Sequence, residues 1–250
     1  LKHARNQAGV SAVLWALYNG QAAIAKRLAE GRSDLDVFEA AALGKVERLA
    51  EILVNNRQQS TAWTPDGFQP LGLACFFRQP AAARLLLEAG ADVNSPSQNP
   101  ARVAPLHSAA AADQVDIVLQ LLRRGANVNA RQGGEFTPLH SAAQNGNLEM
   151  IKLLLVYGAD PETLSGEGKM AGEYALDGGH TAAADLLQAA RKTRRVVLRP
   201  YDPTWPALFR AEASRLIPVL EPLLSAIYHI GSTSVPGLLS KPTVDILVEV

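Results

Sequence analysis

The 250-residue chain carries 24 basic and 24 acidic side chains, so no overall positive field draws it to nucleic acid or to an anionic membrane. Its 48% hydrophobic content suffices for a core, its length predicts one or two domains, and no apolar run approaches the roughly 18–20 residues of a membrane-spanning helix. Cys75 is the one cysteine, which excludes an internal disulfide and predicts a reducing, cytoplasmic setting for a buried, inert thiol. Leu1 leads into Lys2, His3 and Arg5 with no signal-peptide core. Because the first residue is not Met and the last segment stops inside an apolar run, the chain is expected to be an excerpt of a longer polypeptide.

From residue 10 to residue 192 one motif recurs about six times. Its clearest copy runs Thr137-Pro138-Leu139-His140-Ser141-Ala142-Ala143-Gln144-Asn145-Gly146, then Leu153-Leu154-Leu155, then Gly158-Ala159-Asp160. The matching positions Ser11, Leu35, Gln69, Ala104, Thr137 and Met170 lie 24, 34, 35, 33 and 33 residues apart. Each copy predicts a thin first helix, a Leu-rich second helix and a projecting turn. Thr137 caps the first helix, Pro138 takes the position where no N–H is missed, and His140 reaches back to the cap. Paired alanines (Ala109-Ala110, Ala142-Ala143) let neighbouring helices approach, and Gly90, Gly125 and Gly158 follow the second helices where a left-handed residue is needed.

The 24-residue first step predicts a missing or much shortened projecting hairpin, and Leu35 as the cap position sets Phe38 where histidine is usual. Met170-Ala171-Gly172-Glu173 stands where Thr-Pro-Leu-His is expected, as befits a terminal repeat with one neighbour. A period near 33 with T-P-L-H-x-A resembles the ankyrin repeat family. The resemblance implies a mainly α solenoid that needs no cofactor and binds a protein or peptide on its concave side. His107 and His140 then belong to the repeat pattern and are not ligands. The partner-facing positions it implies hold Phe68, Val103 and Phe136 at the turns. At the helix ends they hold Tyr18-Asn19, Ala42-Leu43, Phe76-Phe77, Ala111-Ala112 and Gln144-Asn145. Of these, Tyr18, Phe68, Phe76, Phe77, Phe136, Gln144 and Asn145 are the candidate protein-binding residues, since exposed aromatics mark interaction sites. Either an external protein covers them or the chain's own C-terminal domain does.

Residues 1–192 thus form the repeat domain, 193–195 a basic linker, and 196–250 the N-terminal part of a second domain. Val196-Val197-Leu198 reads as a strand, residues 207–225 as a helix made uncertain by Pro218 and Pro222, and residues 226–230 and 243–250 as two more strands. Two strings, Tyr201-Asp202-Pro203-Thr204-Trp205 and His229-Ile230-Gly231-Ser232-Thr233-Ser234-Val235-Pro236-Gly237-Leu238, followed by Lys241-Pro242 and Asp245, resemble the start of the GrpB family. That resemblance implies a partial α/β, nucleotidyltransferase-like segment. It places Gly231, Ser232, Thr233 and Lys241 against a phosphate and Asp245 as catalytic metal ligand, with Mg2+ and a nucleotide as cofactors of the complete domain.

The residues also allow a plainer role, in which Ser232 and Thr233 cap a short helix. Position 247 is Leu, and Glu249 stands about 13 Å along the strand from Asp245, so the carboxylate pair that metal binding needs is missing from the chain. Two functions follow. The chain is either an interaction module that recruits or restrains the attached domain, or an enzyme transferring a nucleotidyl or phosphoryl group whose repeats select the substrate.

Overall fold

A computed structural model describes residues 3–194, 203–220, 226–230 and 245–249 of the chain. The chain divides into two units, Leu1–Arg191 and Lys192–Val250, the division falling within the last turn of the twelfth helix. The first is built of six helix–turn–helix pairs: α1 (Ala12–Tyr18) with α2 (Ala22–Ala29), α3 (Val37–Leu43) with α4 (Val46–Asn55), α5 (Pro70–Phe76) with α6 (Pro80–Glu88), α7 (Pro105–Ala111) with α8 (Val115–Arg123), α9 (Pro138–Gln144) with α10 (Leu148–Val156), and α11 (Ala171–Asp177) with α12 (Thr181–Arg194). The first helices pack on one another in order, and α4, α6, α8 and α10 form a second layer. Buried alanines (Ala40, Ala41, Ala74, Ala109, Ala110, Ala142, Ala143) line the first layer, and Leu49, Leu86, Leu121 and Leu154 fill the core between layers. A seven-residue helix cannot bury enough surface to stand alone, so each depends on its neighbours.

The caps show how different residues do the same work. The His140 Nδ1 accepts the Thr137 backbone N–H at 3.1 Å, and Glu173 Oε2 accepts that of Met170 at 2.7 Å. In the second repeat the cap is Asp36, not Leu35, and the residue in the histidine position is Glu39, not Phe38. Asp36 Oδ1 accepts the N–H groups of Phe38 and Glu39 at 3.0 and 2.9 Å, and Glu39 Oε2 accepts that of Asp36 at 3.3 Å. The one-residue slip has a local origin. Only Gly44-Lys45 joins α3 to α4, whereas three residues join the helices of every other pair, so counting back from the glycine overshoots the cap.

Two sets of struts join successive repeats. On the projecting side, loop is tied to loop by N–H groups of Gln98, Gly133 and Gly166 donating to the carbonyls of Gly67, Ala101 and Gly134 at 2.8, 2.6 and 2.7 Å. Beyond the second helices, the Asn94 and Asn129 side chains each donate to the next repeat's glycine carbonyl, Gly125 and Gly158, at 3.1 Å. Each also accepts a backbone N–H there, from Asn127 and Asp160, at 2.7 and 2.8 Å. Arg57 takes that role one repeat earlier, donating to the Ala89 and Glu88 carbonyls at 2.7 and 2.9 Å. Between the first two repeats, where the hairpin was expected to be shortened, the Arg32 guanidinium instead pairs with Asp34 at 3.0 Å and with the buried Glu39 carboxylate at 3.2 Å.

After the first helix of each pair the chain turns through positive φ. Glycine occupies that point at Gly20, Gly44, Gly146 and Gly179, but Arg78 and Asp113 hold it in the third and fourth repeats, both at φ 62°. A side chain there is strained. Asp113 is partly compensated, since its Oδ1 accepts from Asn147 Nδ2 at 2.7 Å. Arg78→Gly is therefore expected to stabilise the repeats by about 1 kcal/mol, seen as a higher urea midpoint at unchanged slope.

In the second unit, α13 (Trp205–Leu220) continues through Pro218, one of the two prolines that made the latter half of this helix uncertain. Strands β1 (Ala226–Ile230) and β2 (Asp245–Glu249) pair antiparallel, with Ala226 opposite Glu249 and Ile230 opposite Asp245. The strand expected at 196–198 lies outside the described residues. No helix among the described residues is long and apolar enough to cross a membrane.

Candidate functional site

In the fourth and fifth repeats the third position of the first helix carries a histidine that reaches the next projecting loop. His140 Nε2–H donates to the Lys169 carbonyl at 3.2 Å, and His107 Nε2–H donates to the carbonyls of Ala130 and Phe136 at 3.0 and 3.1 Å. Both rings are buried, and burial lowers the pKa of each, that of His107 to about 4. They are structural, neutral donors. The His107 Nδ1 has no partner, for Ala104 lacks the hydroxyl that Thr137 sets against the His140 Nδ1 at 2.7 Å.

The third repeat breaks this rule. Its cap sequence is Gln69-Pro70-Leu71-Gly72, and a Cβ built on Gly72 would meet nothing within 4 Å. Beside Gly72 lies a mainly apolar pocket of about 270 Å³, lined by Tyr18, Phe68, Leu73, Phe76 and Val103 together with Asp66 and Ser108. Local hydrogen bonds fix its walls. The Thr64 hydroxyl accepts the Phe68 N–H at 2.8 Å and donates to the Phe68 carbonyl at 3.2 Å, and Asn99 Nδ2 donates to the Asp66 carbonyl at 3.1 Å.

Four of the candidate protein-binding residues meet here. The rings run in sequence: Phe68 to Tyr18 at 6.4 Å, Tyr18 to Phe77 at 5.7 Å, and Phe77 to Phe76 at 5.1 Å, edge to face. Tyr18, Phe68 and Phe77 are half-buried on a satellite core of Val10, Leu14, Ala42 and Leu73, while Phe76 is 49% exposed. Phe136 lies apart, half-buried between His140 at 4.9 Å and the Tyr174 ring at 5.0 Å, where it joins the fifth repeat to the sixth. Gln144 and Asn145 are exposed, with Asn145 Nδ2 donating to the Ala111 carbonyl at 3.3 Å. The sequence reading passed over Asp66, Gly72 and Ser108. A signal for Gly72 was present, a glycine where the repeat carries histidine.

Two polar atoms lie in this apolar setting. The Tyr18 hydroxyl and Asp66 Oδ1 are buried side by side, with no partner other than each other. Burial, with the Asp66 carboxylate close by, pushes the Tyr18 phenol well above the ordinary tyrosine range. Cys75 sits fully buried one residue from Phe76, where burial likewise raises its thiol pKa and keeps it protonated.

Of the residues that the second resemblance assigned, Gly231, Ser232, Thr233 and Lys241 lie outside the described residues, and Asp245 opens β2. Among the described residues no group of three His, Cys, Asp or Glu side chains could hold a metal ion.

The family model for ankyrin repeats (three copies) matches residues 37–132 and 106–196, and that for GrpB protein matches residues 195–250. A UPF0157 protein of Halalkalibacterium halodurans is 51% identical over 55 residues, 22% of this chain and 28% of that protein. The UPF0157 protein YqkA of Bacillus subtilis is 44% identical over 57 residues, 23% of this chain and 17% of its own. Neurogenic locus notch homolog protein 4 of Homo sapiens is 39% identical over 102 residues, 40% of this chain and 5% of its own. The chain spans less than a third of the length of each of these curated relatives.

Proposed function

Since the chain belongs to the ankyrin repeat family over residues 37–196 and continues into a GrpB segment, we propose that its repeats bind a protein or peptide partner in the cytoplasm and thereby recruit or restrain the attached nucleotidyltransferase-like domain. The observation that carries this reading is the aromatic row ending in the exposed Phe76, beside a pocket opened by Gly72. An exposed aromatic next to a vacant apolar recess is costly in water and gains when covered. The surface offers apolar anchorage and no nucleophile–base pair, so it suits recognition rather than reaction. Nucleic acid and membrane are not part of this proposal, the chain being neutral overall.

A displayed random peptide library selected on the whole chain tests it. Enriched peptides are expected to lose at least about tenfold in affinity on Phe76→Glu, while the melting temperature stays nearly unchanged because the ring is half in solvent. Peptides that hold equally well to the variant remove Phe76 as an anchor.

The match of residues 195–250 to the GrpB model favours a second reading, nucleotidyl or phosphoryl transfer by the complete C-terminal domain with the repeats selecting its substrate. Mg2+-dependent nucleotide binding by the complete polypeptide, lost in Asp245→Ala, is its expected signature. Absence of binding in both proteins removes it.

A further inference from the structure

We infer that the pocket over Gly72 receives a basic side chain of the partner, lysine or arginine, its alkyl stem against the apolar walls and its cationic head at Asp66 and the Tyr18 hydroxyl. The inference rests on the interaction reading above and names the chemistry of what is bound. Three observations converge on it. The walls are aromatic and aliphatic, with Tyr18 and Phe68 rings 6.4 Å apart, and ring faces attract a cation as well as packing its stem. Asp66 Oδ1 is buried beside the Tyr18 hydroxyl, and no cationic side chain among the described residues forms an ion pair with it. The Tyr18 phenol beside it stays protonated, and with its O–H given to Asp66 its oxygen can still accept an N–H.

Other occupants fit less well. A leucine or phenylalanine would fill the volume yet leave the buried Asp66 carboxylate without a cation. An acidic side chain would meet the Asp66 carboxylate as a like charge. A basic side chain supplies the missing donors through charge-assisted hydrogen bonds and needs an apolar channel for its methylenes, which Leu73 and Phe76 provide. The glycine at position 72 leaves this side of the pocket open, whereas the histidines at the corresponding positions 107 and 140 bond to the next loop.

The test titrates N-acetyl-lysine amide, N-acetyl-arginine amide and the uncharged isostere N-acetyl-norleucine amide into the isotopically labelled whole chain, followed by amide chemical shifts. Saturable shifts around Gly72 and Phe76 are expected for the two basic probes, with the norleucine probe weaker by roughly tenfold or more. Asp66→Asn should erase that difference and Gly72→Leu should block all three probes. If Gly72→Leu does not fold, Gly72→His serves, since histidine occupies the corresponding position in the next two repeats. Norleucine binding as tightly as lysine, unchanged lysine binding by Asp66→Asn, or no saturable shift from any probe each overturns the inference. In those cases Phe76-dependent peptide capture still stands or falls by its own measurement, so the two failures are told apart.

Discussion

Leu121→Ala is expected to remove about 3–4 kcal/mol of stability, the largest effect of any single truncation proposed for this chain. Leu121 is fully buried in α8, which packs on α6 before it and α10 after it, so the cavity opens in two repeat interfaces at once. The surrounding helices are short and each is held by its neighbours, which limits how far they can collapse into the gap. In a stack whose stability is a sum of repeat and interface terms, weakening a central joint also uncouples the two sides. Thermal unfolding followed by circular dichroism should therefore shift down and broaden or split, while a comparable truncation near either end shifts without splitting. A single sharp transition at the original temperature would show that α8 does not bridge the array.

Acidification should destabilise the repeats through His107. Its pKa in the folded chain is lowered to about 4 by burial, below the 6.5 of an exposed histidine. The unfolded chain thus binds a proton that the folded one refuses, so the contribution is complete above pH 6.5 and is lost as pH falls toward 4. The shift corresponds to roughly 3 kcal/mol across that window. His140 adds in the same direction, since burial lowers its pKa too. His107→Gln keeps a donor for the Ala130 and Phe136 carbonyls and removes the titration. Urea midpoints of wild type and variant, measured between pH 7 and pH 4, are expected to converge as the pH falls, because carboxylates contribute alike to both. Parallel curves would refute a neutral buried His107.

Much of the first unit was legible because its signals are local and repeated. Thr137-Pro138-Leu139-His140 carries a cap, a helix start and a link to the next loop in four residues, and five further copies with altered letters kept the period. The slip at Leu35 arose where two local markers disagree. Asp36 marks the helix start and Gly44 its end, and the turn lacks the residue that elsewhere stands between helix and glycine, which no count of periods reveals. The aromatic row was legible by position, Tyr18, Phe68, Phe76 and Phe77 all falling where ankyrin repeats face partners. Phe136 fell there too, yet it packs inward, because Tyr174 of the next repeat meets it and no counterpart of Gly72 leaves a recess. Asp66 and Ser108 could not be read at all: they meet only when a projecting loop folds over a helix start some forty residues further on. In the second unit, alternation located both strands, at 226–230 and within 243–250, while their antiparallel register depends on a long-range pairing that alternation does not encode.

The asparagine struts have a consequence for divergence. Asn94 and Asn129 grip the neighbouring repeat by its main chain, a carbonyl on one side and an N–H on the other. No side chain of the neighbour is read at the joint; what holds Gly125 and Gly158 to glycine is their backbone, at φ 86° and 91°. Beyond that glycine the connection asks nothing of the neighbour's side chains, and the array can change its outward face from one repeat to the next while the spacing between repeats stays fixed.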